Sequence, residues 1–103
     1  MKQKFLDYYM QVAELTGKLS YAIRRQVGAV IVKDNRILSY GYNGMPSGWD
    51  NNCEDEIKWP NGDIKFLTTK KEVLHAESNA LAKLAKSNES GEDATLFITH
   101  SPC

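Results

Sequence analysis

Cysteine is scarce in this chain: Cys53 and Cys103 are the two present among 103 residues. Two thiols cannot staple a small secreted domain, so a disulfide framework is excluded and each is expected to be a metal ligand or a free thiol. An excess of either charge is missing as well. Lys and Arg number 13, as do Asp and Glu. That balance argues against a broad surface for nucleic acid or membrane, while leaving room for a local basic pocket. No apolar run approaches the roughly 20 residues of a membrane span. The opening Met-Lys-Gln-Lys-Phe-Leu-Asp-Tyr lacks a signal-peptide core, because Lys4 and Asp7 interrupt it. These absences predict a cytoplasmic protein (host cytoplasm for a viral gene) with neither nucleic acid nor membrane as partner. Internal repeats and low-complexity tracts are absent too.

What is present suits one small domain. A hydrophobic content of 42% and a charged content of 25% are ordinary for a globular chain. The length suffices for a single core. Phe5, Tyr8, Tyr9, Val12, Ala13 and Leu15 recur at helical spacing and predict a helix over 4–17, with Gly17 as its C′ stop. Residues 18–26 read as a connection carrying the basic pair Arg24 and Arg25. Val27–Lys33 is a β-branched apolar run and Arg36–Tyr42 a second strand. Asp34 and Asn35 tolerate left-handed backbone, so the two strands form an antiparallel hairpin. The first strand is apolar almost throughout, which predicts burial on both faces with helices packed on either side. From Asn43 to about Glu72 there is no strong period, apart from a possible short strand at 64–67. The segment contains Trp49, Cys53, Trp59 and Phe66 and is expected to pack on the domain. Val73–Lys86 predicts a second, alanine-rich helix lined by Leu74, Ala80, Leu81, Leu84 and Ala85. A polar loop and a strand over 94–99 follow, and Pro102 suits the first turn of another helix. Helix, hairpin, helix, strand is an α/β layer pattern.

Two stretches carry chemistry. His75 and Cys103 are ligands suited to zinc, and Glu77 adds a carboxylate beside the histidine. In mid-helix a spacing of two would put His75 and Glu77 on different sides. At the first turn of a helix they can converge on a point off its end. The positive end of the helix dipole there favours a bound hydroxide, and after Pro102 it would favour the Cys103 thiolate. Alone, each stretch is commonplace at a polar helix end; their joint placement at two successive helix starts raises their weight. A catalytic zinc takes three protein ligands plus water. The reading supplies two, so either the third lies beyond Cys103 or the chain has no working metal site.

His75-Ala76-Glu77-Ser78-Asn79-Ala80 and Thr99-His100-Ser101-Pro102-Cys103 resemble the H-x-E…P-C-x-x-C signature of the zinc-dependent cytidine/deoxycytidylate deaminase superfamily. Gln26-Val27-Gly28-Ala29-Val30-Ile31-Val32 and Gly41-Tyr42-Asn43-Gly44-Met45-Pro46 narrow the resemblance to the deoxycytidylate (dCMP) deaminase family. It runs from about Ser20 to Cys103. The chain departs from the pattern in lacking the second cysteine of the pair. Residues 1–103 are therefore expected to be such a domain without its C-terminal part.

The resemblance implies a cytidine-deaminase-like three-layer α-β-α sandwich with a mixed sheet. It implies Zn2+ on His75, Cys103 and a further cysteine, with Glu77 moving protons as water replaces the C4 amino group of dCMP, giving dUMP and ammonia for the thymidylate pathway. It implies substrate contacts from Asn43, Ala76, Arg25 and Ser101. Arg24 and Arg25 suit a 5′-phosphate. Turn geometry is a competing explanation for Asn43, and simple solvation for the arginines. Gly44 and Met45 are candidates for contact with dCTP or dTTP as allosteric effectors, and a homo-oligomer, a hexamer among the options, is the expected assembly. Some relatives carry a second, structural zinc on a cysteine in the Cys53 loop. Its partner cysteine should fall near 19–22, where the chain reads Leu-Ser-Tyr-Ala, so Cys53 is expected to be a free thiol. The rival readings are a non-catalytic nucleotide-binding or oligomerising module, a deaminase of free cytidine, and a tRNA adenosine deaminase, the last disfavoured by the neutral charge.

Overall fold

The computed structural model describes residues 2–23, 25–46 and 50–99. Its elements run α1 (Gln3–Gly17), β1 (Gly28–Lys33), β2 (Arg36–Tyr42), β3 (Glu54–Lys58), β4 (Ile64–Thr69), α2 (Ala76–Ala85) and β5 (Thr95–Ile98). β1 is the centre of a three-stranded sheet ordered β2-β1-β5. Because strand side chains alternate between faces, β1 feeds two cores. Val30 and Val32 pack with Tyr9, Ala13 and Phe97 under α1. Ala29 and Ile31 pack with Ala76, Ala80 and Leu84 under α2. The expected three layers are present, with a helix on each side of an apolar strand. Both pairings in this sheet are antiparallel, so the parallel partner that makes a sheet mixed is not among the described strands.

The β1–β2 hairpin closes as the sequence predicts. Asp34 and Asn35 both take positive φ, 52° and 58°, the backbone of a two-residue turn matched to strand twist. Arg36 at the start of β2 donates from both guanidinium nitrogens to Glu89, each bond 2.9 Å. Their pairing holds the Glu89 carboxyl below its ordinary range and raises Arg36, through hydrogen bonding first and charge second.

Several expectations change. Gly17 is the last residue of α1 and Lys18 is its cap. The glycine is there for a close approach: a Cβ would press on the Val27–Gly28 backbone, so α1 lies hard against the entry to β1. Tyr8 and Leu15 face solvent, and Thr16 joins Tyr9 and Ala13 on the buried face. The second helix begins at Ala76, three residues later than expected, because Leu74 is drawn into a two-way backbone bridge with Gly44 (3.1 and 2.7 Å). Its buried stripe is Ala76, Ala80 and Leu84, while Leu74 and Leu81 are exposed. The segment without a period contains a second antiparallel hairpin, β3–β4, with Ile57 opposite Phe66 and a turn through Gly62 at φ 97°. It packs chiefly on itself, so Trp59 and Phe66 stay half exposed instead of burying the loop. Lys65 lies over both rings, its Nζ 4.7 Å from the centre of Trp59. Trp49 lies outside the described residues. Among the described residues no helix is long and apolar enough to cross a membrane.

Gly41 on β2 sits directly beneath α2. A Cβ there would overlap the Ala76 carbonyl oxygen and the Ala80 amide nitrogen. Gly41→Ala is expected to lower stability by about 1–3 kcal/mol, measured as a shift in the denaturant midpoint. The Arg36–Glu89 pair is fully exposed, so its effect is small and carries a pH signature. Glu89 has a depressed pKa in the folded state. Its contribution is therefore present above the ordinary carboxylate range and lost as pH falls through the depressed value. The difference in thermal midpoint between the native chain and Glu89→Gln should vanish on acidification and in high salt.

Candidate active site

β2 and β5 both run antiparallel to β1, so they are parallel to each other and end at the same edge of the sheet. Gly28 marks that edge. It pairs with Tyr42 on one side. On the other its N–H donates to Thr99 Oγ1 (3.2 Å) and its carbonyl accepts from Thr99 N (3.1 Å). The helix that returns the chain from β2 to β5 must begin at this edge, beyond the strands' carboxyl ends, where open α/β sheets bind ligands. His75 and Glu77 stand at that beginning.

His75 is the N-cap of α2 in extended backbone (φ −78°, ψ 150°), and its imidazole makes no capping bond. Its carbonyl accepts from Asn79 N at 3.0 Å. The ring is exposed and free to bind something else. Glu77 is half-buried in the first turn, where the helix dipole favours its charge. Ala76 is 1% exposed. Its methyl cannot reach a substrate; what it offers is a first-turn amide with no intrahelical acceptor. Cys103 and Ser101, the other expected ligand and contact, lie outside the described residues, as does Arg24.

Three further contacts hold this helix start. Asn79 Nδ2 donates to the Tyr42 carbonyl at 2.8 Å. Ser39 Oγ donates to the Ala80 carbonyl at 2.8 Å from within the core. The Gly44–Leu74 bridge completes the set. Asn79 and Ser39 were not picked out from the sequence. An asparagine inside a helix is a poor helix former, and that was the available signal.

Asn43 is not a left-handed turn residue, since its φ is not positive. Its side chain bridges the entry to β1: Oδ1 accepts from Val27 N (2.9 Å) and Nδ2 donates to the Arg25 carbonyl (2.8 Å). It thereby fixes the backbone from which the exposed Arg25 side chain projects. One N–H and one lone pair remain for a ligand. Gly44 is bridged to Leu74, the residue before His75, and Met45 follows Gly44. With Tyr42, Leu74, Lys83 and Lys86 they line a groove of about 550 Å3 on the flank of α2. Neither His75 nor Glu77 lines it, so this groove lies beside the helix start. Lys83 Nζ lies 3.9 Å above the ring centre of Tyr40, which leaves the groove cationic.

Cys53 is free and fully buried, its thiol 3.5 Å from the Asn51 carbonyl oxygen. Burial first, and the Glu54 carboxylate second, push the thiol pKa up, which makes it unreactive. Among the described residues no three His, Cys, Asp or Glu side chains cluster as a metal cage. His75 presents an uncommitted, metal-competent donor at the helix start. It fits zinc as one ligand of a set.

A three-layer sheet whose returning helix opens on His-x-Glu at the strands' carboxyl edge defines a nucleobase-deaminase type of protein. Residues 3–103 match the cytidine and deoxycytidylate deaminase zinc-binding region. The chain belongs to that family, and zinc is the family's metal. It is 41% identical over 103 residues to an uncharacterised deaminase encoded in the luxG 3′ region of Aliivibrio fischeri, covering all of this chain and 63% of that protein. It is 34% identical over 110 residues to the deoxycytidylate deaminase of Saccharomyces cerevisiae, covering 100% of this chain and 33% of that protein. The dCMP deaminase of cyanophage S-TIM5, solved in complex with dCMP and dUMP, superposes with a TM-score of 0.83 at 45% identity, over 100% of this chain and 70% of that one. The chain thus spans between a third and about two thirds of the length of these relatives.

Asn79→Ala should cost about 1 kcal/mol in denaturant unfolding. Asn79→Asp should cost more, because a carboxylate would face the Tyr42 carbonyl with no proton to share.

Proposed function

We propose that the protein takes part in the hydrolytic deamination of dCMP to dUMP and ammonia. The observation that carries this reading is the helix start itself: an uncommitted His75 and a half-buried Glu77 at the carboxyl edge of β2 and β5. The 45% identical cyanophage dCMP deaminase supports it. Zinc, when bound by His75 and Cys103 with a further ligand, supplies the Lewis acidity that makes water a nucleophile near neutral pH.

Glu77 accepts a proton from the attacking water and delivers it to ring N3 as the oxygen joins C4. It then carries the second proton from that oxygen to the amino nitrogen. The C4–N bond breaks, C4=O forms and ammonia leaves, so one water is consumed per turnover. The Ala76 amide and the remaining hydrogen-bonding capacity of Asn43 orient the substrate, with Ser101 as a further contact. Arg25 binds the 5′-phosphate from the loop that Asn43 fixes, which favours the nucleotide over free cytidine. The cationic groove lined by Gly44 and Met45 suits a triphosphate effector such as dCTP or dTTP. A homo-oligomer is the assembly we propose.

Glu77→Gln should retain zinc, measured as metal per chain, and lose about 10^2- to 10^4-fold in turnover. Near-native turnover in that variant would remove Glu77 from the proton path. Equal rates on dCMP and deoxycytidine would remove the phosphate contact. Lys83→Glu should abolish calorimetric binding of dCTP; retained binding would place an effector elsewhere.

A further inference from the structure

One buried carboxylate has no part in the chemistry above. Glu54 opens β3 and is 2% exposed, although the rest of that strand faces solvent. Burying a carboxylate is costly unless it is well bonded, and an apolar side chain would fill the space more cheaply. Its Oε2 accepts the backbone N–H of Ile23 at 2.8 Å, across 31 residues of chain. Its neighbour anchors the hairpin: the Cys53 carbonyl accepts from Lys70 N at 2.8 Å, where β4 leads on toward His75.

The loop that Glu54 grips buries Ser20 and Ala22 but exposes the residue after each. Tyr21 is 66% and Ile23 72% exposed. Its two ends are tied to the turn after β2. Ser20 Oγ donates to the Asn43 carbonyl (2.7 Å), and Asn43 Nδ2 donates to the Arg25 carbonyl (2.8 Å). The Glu54 bond falls between those anchors. Among the described residues the connection is therefore held near its ends by Asn43 and between them by the second hairpin, and Arg25 projects from it.

We propose that Glu54 is a positioning residue for nucleotide selection: through Ile23 it holds the 20–27 loop so that Arg25 meets a 5′-phosphate without having to order the loop first. The proposal rests on Arg25 as the phosphate contact. An arginine fork is selective only when its geometry is already set. A loop that lost its middle anchor would spend binding energy on ordering itself, and that loss would fall on dCMP and spare deoxycytidine.

The test compares KM and kcat for dCMP and deoxycytidine in the zinc-loaded protein. Glu54→Met keeps the volume and removes the acceptor. It should raise KM for dCMP about tenfold, leave KM for deoxycytidine and both kcat values nearly unchanged, and speed hydrogen exchange at the Ile23 amide. Glu54→Gln keeps an acceptor oxygen for that amide and should restore the dCMP preference. Where Glu54→Met does not fold, Ile23→Pro removes the donor from the exposed side of the same bond and is read identically. Equal effects on both substrates, or faster Ile23 exchange with an unchanged dCMP preference, would overturn the role of Glu54. Arg25→Ala separates the two layers. If it abolishes the preference while Glu54→Met does not, the positioning role fails. If it leaves the preference intact, the phosphate assignment fails and the proposal falls with it.

Discussion

The close approach of α2 to β2 is the contact on which the rest of the arrangement depends. Gly41 has no side chain because the Ala76 carbonyl and the Ala80 amide occupy that space. The first turn of α2 is pressed against a strand backbone instead of resting on a layer of side chains. Polar bonds set its position along the strand: Ser39 reaches the Ala80 carbonyl, Asn79 reaches Tyr42, and Leu74 pairs with Gly44. Apolar packing alone would let a slim helix slide. Directional hydrogen bonds do not. His75 and Glu77 are placed by a strand that contains neither.

The same helix serves two environments. Its start presents a histidine and a carboxylate at the edge where β2 and β5 end. Its flank, through Lys83 and Lys86, makes one wall of a cationic groove closed by Tyr42 and Met45. The turn after β2 touches both, since Asn43 braces the Arg25 loop while Gly44 bonds Leu74 beside His75. Any ligand that shifts this turn acts on the loop and on the helix start together. The β3–β4 hairpin adds a third connection: its base holds the loop through Glu54, while its tip, with Trp59 and Phe66, faces outward.

Much of the fold was legible because local chemistry and burial agree there. β1 is apolar on both faces and is buried on both. Asp34-Asn35 demands a tight turn and makes one. Of the second hairpin, 64–67 was legible as a possible short strand or turn and its partner strand was not, for a physical reason. Glu-Asp-Glu-Ile-Lys shows no alternation, because apart from Glu54 this strand faces water on both sides and is held by main-chain pairing with β4. Gly17 was read through backbone freedom, yet its job is to let β1 come close. The Ala76 methyl belongs to the core, which the residue type alone does not announce. Asn43 braces the entry to β1 through a side chain whose partners lie 16 and 18 residues away in sequence.

Pattern by itself determined the α/β layering and the central hairpin, because each is written in neighbouring residues or in a short period, while the family was read from the resemblance of the His75–Glu77 and Pro102–Cys103 motifs. Only the tertiary structure decided what lies between them. It showed that Gly41 is a contact surface, that Asn79 and Ser39 hold α2 in register, that the cationic groove stands beside the helix start, and that Glu54 grips a loop 31 residues away. Those relations join residues far apart in the chain, and no local propensity records which of them meet.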